Sequence, residues 1–204
     1  MENYVKLCLD RHPRLNCCEA DMLNSIDFLC DCFEKNNKLL LCGNGGSASD
    51  SSHMAAELLK SFRLKRSITG PMEKELDEDL IENLQGSLPA ISLPDFVATN
   101  TAYANDCAPE YPFAQLVFGL GQKDDILFAL STSGNSKNII LAARTALAKK
   151  MKVIGLTGLT GGQLLDHCSI CIRAPETETY LVQELHMIIY HTICLAVEQY
   201  FFSN

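Results

Sequence analysis

The chain has 204 residues and a formal net charge of −8, which suits one well-buried domain and excludes two of ordinary size. The acidic balance argues against nucleic acid as the main partner, because binding a phosphate backbone requires clustered Lys and Arg. The chain lacks the basic start and apolar core of a signal peptide, and polar residues interrupt its longest apolar run, 181–197, so we expect no membrane span.

The predicted elements alternate between helices and strands along the chain. After an N-terminal helical segment over 1–36, strand-like runs cover 38–42, 89–93, 125–130, 152–157 and 168–173, and helix-like stretches cover 47–62, 95–104, 136–149 and 179–202. Continuous apolar strands separated by helices predict an α/β fold with a central parallel sheet covered on both faces. We treat 1–204 as one domain, with ligands expected beyond the carboxyl ends of the strands.

The connection over 64–88 is longer than a strand–helix alternation requires. It contains Gly70-Pro71 and the acidic run from Glu73 to Asp79, which favours a short helix because Pro and early acidic residues suit a helix start. One interpretation is a solvated surface insertion, since charge runs are usually exposed. The other is a lid or interface element that shapes substrate choice.

The first candidate site follows the predicted strand at 38–42. The chain passes into Gly43-Asn44-Gly45-Gly46-Ser47 and then directly into a helix. Glycines at a strand-to-helix turn allow close approach of a ligand, and the helix start offers N–H groups to an anion. His53 and Glu57 lie one turn apart on that helix and therefore share a face.

The second candidate site follows the predicted strand at 125–130. Its hydroxyl-rich run includes Ser131, Thr132, Ser133 and Ser136 around Gly134, and a helix follows. Such a run can surround a phosphate with O–H and N–H donors, although Ser, Asn and Gly are also ordinary turn and helix-cap residues. Together with the glycine turn, it predicts a phosphate site between the two loops.

The predicted C-terminal helix carries Gln183, His186 and His191. Either histidine alone would usually be a hydrogen-bonded packing residue. His191 could join His53 and Glu57 around a metal, because two imidazoles, a carboxylate and an amide oxygen suit zinc or a similar divalent ion. Gln183 and His191 are eight residues apart, which is about 12 Å along a helix and near the limit for sharing one ion.

The ten cysteines lie mostly in apolar runs, where a free thiol acts as a small hydrophobic group. Cys168 and Cys171 have the spacing of half a zinc site, but no second pair accompanies them. We expect them in a core strand, and we expect the protein in a reducing cytoplasm.

Taken together, these motifs resemble the sedoheptulose-7-phosphate (phosphoheptose) isomerases of the SIS, or sugar isomerase, domain family. The resemblance rests on the glycine turn, the His53-x-x-x-Glu57 pair, the run from Ser131 to Ser136, and Gln183-Glu184-x-His186-x-x-x-x-His191, which occur in the same order from about residue 36 to the C terminus. It implies a three-layer α/β sandwich, a homotetramer with active sites at subunit contacts, and the first step of heptose nucleotide synthesis for bacterial surface polysaccharide, whether lipopolysaccharide or capsule.

The resemblance also assigns roles to residues. Glu57 and His191 would be the proton-transfer pair, passing a proton between adjacent carbons through an enediol. The sugar phosphate would contact the glycine turn and the hydroxyl run, with an Asn-Asp pair nearby: Asn44, Gly45, Gly46, Ser47, Asn105, Asp106, Ser131, Thr132, Ser133 and Ser136. The zinc ligands would be His53, Glu57, Gln183 and His191.

Two departures from the family pattern leave the exact sugar open. The connection at 64–88 is longer, and Tyr180-Leu181 stands where the family commonly has a polar residue followed by Arg. The alternatives are a SIS isomerase or binding protein for another phosphosugar, and a non-catalytic SIS regulatory protein. The second alternative lacks the His-x-x-x-Glu pair that this chain carries.

Overall fold

The computed structural model describes residues 2–68 and 70–203. Five strands form its sheet: β1 (Leu39–Cys42), β2 (Ala90–Ser92), β3 (Ile126–Ser131), β4 (Lys152–Thr157) and β5 (Ile170–Arg173). The α-helices in this described part are α1 (Glu2–Arg11), α2 (Glu19–Glu34), α3 (Gly46–Leu59), α4 (Glu78–Asn83), α5 (Val97–Asp106), α6 (Pro112–Leu120), α7 (Lys137–Ala148) and α8 (Thr179–Phe202).

All the strand pairs in the sheet are parallel, in the order β2-β1-β3-β4-β5. From β1 the chain continues to β2 on one side of the sheet, whereas from β3 it continues to β4 on the other side. The connections after β1 and β3 therefore leave in opposite directions and open a crevice, which is where open α/β sheets bind ligands. The predicted parallel α/β sheet is therefore confirmed, and the two candidate loops follow the two strands that flank this crevice.

The sheet has one hydrophobic core on each face. Leu39 and Leu41 of β1 point into the larger core, which contains residues of α1, α2, α3 and α8. Leu40 and Cys42 point into the other core, formed with α6 and α7. Alternate side chains of a strand point to opposite faces, so burial on both faces explains the continuous apolar run. The fold thus has three layers.

The C-terminal helix α8 belongs to the larger core. By length and hydropathy it is the one helix of the described residues that could cross a membrane, but 56% of that apolar window is buried inside the protein. It packs on α1, α2 and α3. Burial against these helices accounts for the apolar composition of α8. This agrees with the expectation, drawn from the polar residues that interrupt its apolar run, that α8 is not a membrane span.

The described residues of the segment 64–88 are mostly exposed, and they include a 3-10 helix (Pro71–Lys74) and α4. Asp77 caps α4 by accepting a hydrogen bond from the backbone N–H of Leu80. The predicted short helix is therefore present. Arg66, by contrast, is only 1% exposed, so the start of this segment is anchored in the core.

Helix α6 was not predicted from the sequence. Pro112 occupies the first position of α6, where a missing N–H costs nothing, and its apolar residues pack on α7. None of the ten cysteines forms a disulfide bond. Cys171 lies in β5 as expected, but the expectation for Cys168 was wrong, because Cys168 precedes that strand at the end of a 3-10 helix (Gly162–His167).

Candidate functional site

The two candidate loops meet in one cavity. Its volume is about 310 Å³, and it is lined by Asn44, Gly45, Gly46, Ser47, Leu130, Ser131, Thr132, Ser136, Thr179 and Gln183. Ser131 is buried and its hydroxyl donates a hydrogen bond to the Ser136 hydroxyl over 3.1 Å. Hydroxyls from the β3 end therefore face the start of α3, where backbone N–H groups and the helix dipole favour an anion.

A reciprocal amide pair holds the two loops together. Asn44 Nδ2 donates to Asn138 Oδ1 over 2.9 Å, and Asn138 Nδ2 donates to Asn44 Oδ1 over 2.8 Å. The pair joins the turn after β1 to the first turn of α7. Sequence reasoning did not identify Asn138, since its partner lies 94 positions away in the chain.

Gly45 and Gly46 shape the floor of the cavity. Gly45 has φ 55° and ψ −121°, a backbone conformation that residues with a Cβ atom rarely adopt. A methyl group on Gly46 would come within 2.5 Å of Gln183 Nε2. The side chain of Gln183 therefore lies against the first turn of α3, on the side of the site where the two candidate loops meet.

Three of the predicted substrate residues lie outside the cavity lining. Ser133 is exposed, and its hydroxyl accepts a hydrogen bond from the Asn135 N–H over 3.1 Å. Asn105 and Asp106 are exposed at the end of α5, where Asn105 Nδ2 donates to Asp106 Oδ1 over 2.8 Å. The remaining predicted contacts all line the cavity.

His53, Glu57 and His191 come together further along the same helices. His53 Nε2 is 3.1 Å from Glu57 Oε1 and 3.4 Å from His191 Nε2. His53 follows Gly46 by seven residues, close to two full turns, so the cavity and this group lie on one face of α3. The pKa of His191 is lowered, first by burial and then by the neighbouring His53, which favours its neutral form.

Two basic residues contact the Glu57 region. Lys60 Nζ lies 3.3 Å from Glu57 Oε2, so this carboxylate oxygen has a charged donor nearby. Arg66 donates to the backbone carbonyls of Glu57 and Leu58 over 2.7 and 2.6 Å. These carbonyls belong to the last turn of α3, where intrahelical donors are lacking, so Arg66 fixes the backbone that carries Glu57.

Tyr190 and Asp50 complete the surroundings of His53, and pattern reasoning missed both. The Tyr190 hydroxyl lies 3.0 Å from His53 Nδ1 and 3.3 Å from Asp50 Oδ1. Burial raises the pKa of Tyr190, and the Asp50 charge raises it further. Burial also raises the pKa of Asp50, which the Tyr190 hydrogen bond and the His53 charge counteract.

As the side chains of residues 2–68 and 70–203 are arranged, no group of three or more His, Cys, Asp or Glu could hold a metal ion. His53 Nε2 and Glu57 Oε1 contact each other directly. Gln183 is held at Gly46 in the cavity, two turns before His191. Gln183 and His191 are eight residues, or about 12 Å, apart along α8, so they lie in two different parts of the site.

Comparison with known proteins identifies similar folds and sequences. Residues 14–158 match the family model described as SIS domain. The chain is 37% identical over 187 residues to a protein named phosphoheptose isomerase from Roseiflexus sp. (strain RS-1), covering 91% of this chain and 85% of that protein. A phosphoheptose isomerase from Helicobacter pylori is 37% identical over 177 residues, covering 87% and 82%.

Solved structures agree with these sequence matches. A phosphoheptose isomerase from Francisella tularensis superposes with a TM-score of 0.79 and 32% identity, covering 97% of this chain and 95% of that chain. The phosphoheptose isomerase from Neisseria gonorrhoeae gives a TM-score of 0.74 and 30% identity, covering 88% and 86%. The similarity extends over nearly the whole chain, including both helices that carry the histidines.

Proposed function

The chain belongs to the phosphoheptose isomerase family of SIS domain proteins, and from this premise we propose that it interconverts sedoheptulose 7-phosphate and D-glycero-D-manno-heptose 7-phosphate. One observation carries the proposal: a hydroxyl-lined cavity and an imidazole–carboxylate group follow each other along one face of α3. Ser47 precedes His53 by six residues, about 9 Å of helix, a length that an extended seven-carbon chain with a terminal phosphate can span.

In the proposed reaction the cavity binds the phosphate and the far end of the site exchanges protons. Glu57 takes the proton from one of the two adjacent carbons and returns it to the other. The Lys60 ammonium and the Arg66-capped helix end hold that carboxylate in place. His191, neutral because burial lowers its pKa, moves the proton between the two substrate oxygens.

We also propose a divalent ion, zinc by resemblance, at the His53 group. The donor chemistry fits, because His53 Nε2, Glu57 and His191 Nε2 present two imidazole nitrogens and a carboxylate to one small region. When bound, such an ion would stabilise the negative charge that develops on the substrate oxygens. Gln183 remains the proposed fourth ligand, and its carboxamide has to leave Gly46 to reach that ion.

We propose a homotetramer with the sites at subunit contacts. Tyr180, Met187 and Tyr200 of α8 are large and 44–62% exposed in the single chain. Helix α5 has no buried residue. Apolar surfaces of this kind are typical of subunit interfaces. We expect the enzyme in the cytoplasm, where it would begin heptose nucleotide synthesis for surface polysaccharide.

A second candidate is a SIS isomerase for another phosphosugar. It is favoured by the segment 64–88, which adds a cavity of about 430 Å³ lined in part by Lys65, Arg66 and Glu82. It is also favoured by Tyr180-Leu181, which stand in the chain between Thr179 and Gln183, two residues that line the cavity of the candidate site. A surface segment of this kind can change which sugar binds without changing the proton-transfer groups.

The direct test is to incubate pure protein with sedoheptulose 7-phosphate and to detect the aldose phosphate by chromatography. Fructose 6-phosphate and an amino-sugar phosphate serve as competing substrates, and Glu57→Gln serves as the inactive control. Turnover of the heptose alone supports the first proposal, and turnover of another sugar alone supports the second. If wild type and Glu57→Gln both leave every sugar unchanged, the non-catalytic alternative is favoured.

A further inference from the structure

A phenol and a carboxylate lie behind His53, on the side opposite Glu57. Tyr190 is fully buried and Asp50 is 8% exposed. The Tyr190 hydroxyl lies between Asp50 Oδ1, at 3.3 Å, and His53 Nδ1, at 3.0 Å. The other ring nitrogen of His53 faces Glu57 and His191. The two ring nitrogens of His53 therefore face different partners.

The chemistry of the three groups fixes the direction of their hydrogen bonds. An ionised carboxylate only accepts, and a phenol has one proton to donate. Asp50 Oδ2 has no hydrogen-bond partner among the described residues, so the Tyr190 hydroxyl is the donor available to this buried carboxylate. Once the phenol proton points at Asp50, its oxygen can only accept from His53, which requires the proton on His53 Nδ1.

The consequence appears at the other ring nitrogen. A neutral imidazole protonated on Nδ1 has a lone pair on Nε2, and here that lone pair faces the Glu57 carboxylate 3.1 Å away. Two acceptors at this separation repel each other unless a cation lies with them. We propose that Asp50 and Tyr190 form a positioning relay that fixes the tautomer of His53 and keeps Nε2 available to bind a divalent cation.

This inference rests on the proposed function, because it concerns the cation site of the proposed isomerase. Neither Tyr190 nor Asp50 touches the reacting atoms, so both are positioning residues. Outer groups that accept the second N–H of a metal-bound histidine orient its ring, and their loss typically weakens metal binding about 10- to 100-fold. The expected effect is therefore on cation affinity first and on turnover only through it.

The variant Tyr190→Phe removes the hydroxyl and keeps the ring. His53 Nδ1–H then loses its acceptor, and the tautomer with the proton on Nε2, which can donate to Glu57, becomes favoured. The variant Asp50→Ala frees the phenol proton to point at His53 Nδ1 and should change the tautomer in the same direction. Tyr200→Phe is the matched control, since Tyr200 is on the same helix and bonds Glu34 far from the site.

The experiment measures Zn²⁺ affinity by chelator competition, without any sugar. We expect affinity about 10- to 100-fold weaker in Tyr190→Phe and Asp50→Ala, and unchanged affinity in Tyr200→Phe. In zinc-loaded protein labelled with ¹⁵N-histidine, wild type should show a protected His53 Nδ1–H resonance that Tyr190→Phe loses. We expect inorganic phosphate binding and the melting temperature of the zinc-free protein to stay unchanged in Tyr190→Phe. Loss of the resonance with both of these unchanged would exclude a merely structural role for Tyr190.

Tyr190→Phe with wild-type Zn²⁺ affinity would overturn the relay, and so would a wild type that binds no Zn²⁺. The outcome is separate from the test of the proposed reaction. Weaker Zn²⁺ binding in both variants supports the relay even if sedoheptulose 7-phosphate is not converted. Conversion of that sugar with unaltered Zn²⁺ binding in Tyr190→Phe refutes the relay and leaves the proposed function intact.

Discussion

Arg66 Nε donates a hydrogen bond to Glu198 Oε1 over 2.8 Å, and neither side chain is more than 1% exposed. Glu198 also accepts from the backbone N–H groups of Phe62, Arg63 and Leu64. Burial opposes its ionisation, but these hydrogen bonds hold the pKa of Glu198 below its usual value. The pair joins α8 to the start of the 64–88 segment and to the end of α3.

Glu198→Gln should therefore destabilise the fold strongly. It keeps the size of the side chain but leaves the Arg66 guanidinium buried without a counter-charge, which typically costs about 3–5 kcal/mol. Urea unfolding followed by circular dichroism measures the change. Glu110→Gln is the control, because it removes an exposed ion pair with Lys137 whose loss should cost less than about 1 kcal/mol. Equal stability of the two variants would contradict the buried-pair assignment.

His186 should make the protein less stable as the pH falls. It is fully buried, neither ring nitrogen has a hydrogen-bond partner among the described residues, and burial lowers its pKa to about 4. The unfolded chain, with a pKa near 6.5, binds the proton first, so stability is complete above about pH 6.5 and declines down to about pH 4, by about 3 kcal/mol.

The measurement for His186 is the free energy of unfolding at pH values from 7.5 to 4. His186→Asn should flatten the decline, because the substituted residue does not titrate. His12→Asn, at a half-buried position near the N terminus, is the control for a His-to-Asn change elsewhere in the chain. An identical slope in His186→Asn and wild type would show that another group is responsible.

Glu57→Gln should abolish turnover while the fold and phosphate binding persist, since it retains the shape of the side chain and removes its basicity. His191→Asn should also reduce turnover severely, with loss of metal if His191 is a ligand. His186→Asn should affect turnover less, because its side chain points about 140° away from that of His191 around the helix. Turnover and metal content are measured on the same samples, and near-normal turnover in Glu57→Gln would refute the proposed mechanism.

Ser131→Ala and Ser136→Ala should each weaken the binding of inorganic phosphate. Both residues line the cavity, and a hydrogen bond to a charged group is worth about 1.5–3 kcal/mol, or roughly 10- to 100-fold in affinity. Ser133→Ala should change affinity little, since its hydroxyl is exposed and bonded within its own turn. Isothermal titration calorimetry measures the affinity of each variant. An equally large loss in Ser133→Ala would show that Ser133 also contacts the phosphate.

Gln183→Ala tests the proposed fourth ligand. If the carboxamide reaches the ion, zinc content after dialysis should fall below that of wild type, because a four-ligand site becomes a three-ligand site. Thr179→Ala, one turn earlier and also lining the cavity, is the control. Full zinc content in Gln183→Ala, combined with weaker phosphate binding, would place Gln183 among the substrate contacts instead.

The sequence alone determined the features that depend on neighbouring residues. Apolar runs predicted all five strands, because a strand buried on both faces needs apolar side chains at every position. His53 and Glu57 were predicted on one face because a spacing of four residues brings side chains together on any α-helix. The glycine turn at 43–47 and the hydroxyl-rich run at 131–136 were recognised because each lies between a predicted strand and a predicted helix.

Tertiary structure decided the features that depend on how α3 and α8 pack. The two helices run in the same direction, since Gln183 lies at Gly46 and His191 lies at His53. Because the helices are parallel, the eight residues between Gln183 and His191 separate the proposed phosphate end of the site from its proposed proton-transfer end. Tyr190 reaches His53 and Asp50 across 137 and 140 positions of the chain, a contact that exists only once the helices pack and that no local spacing encodes.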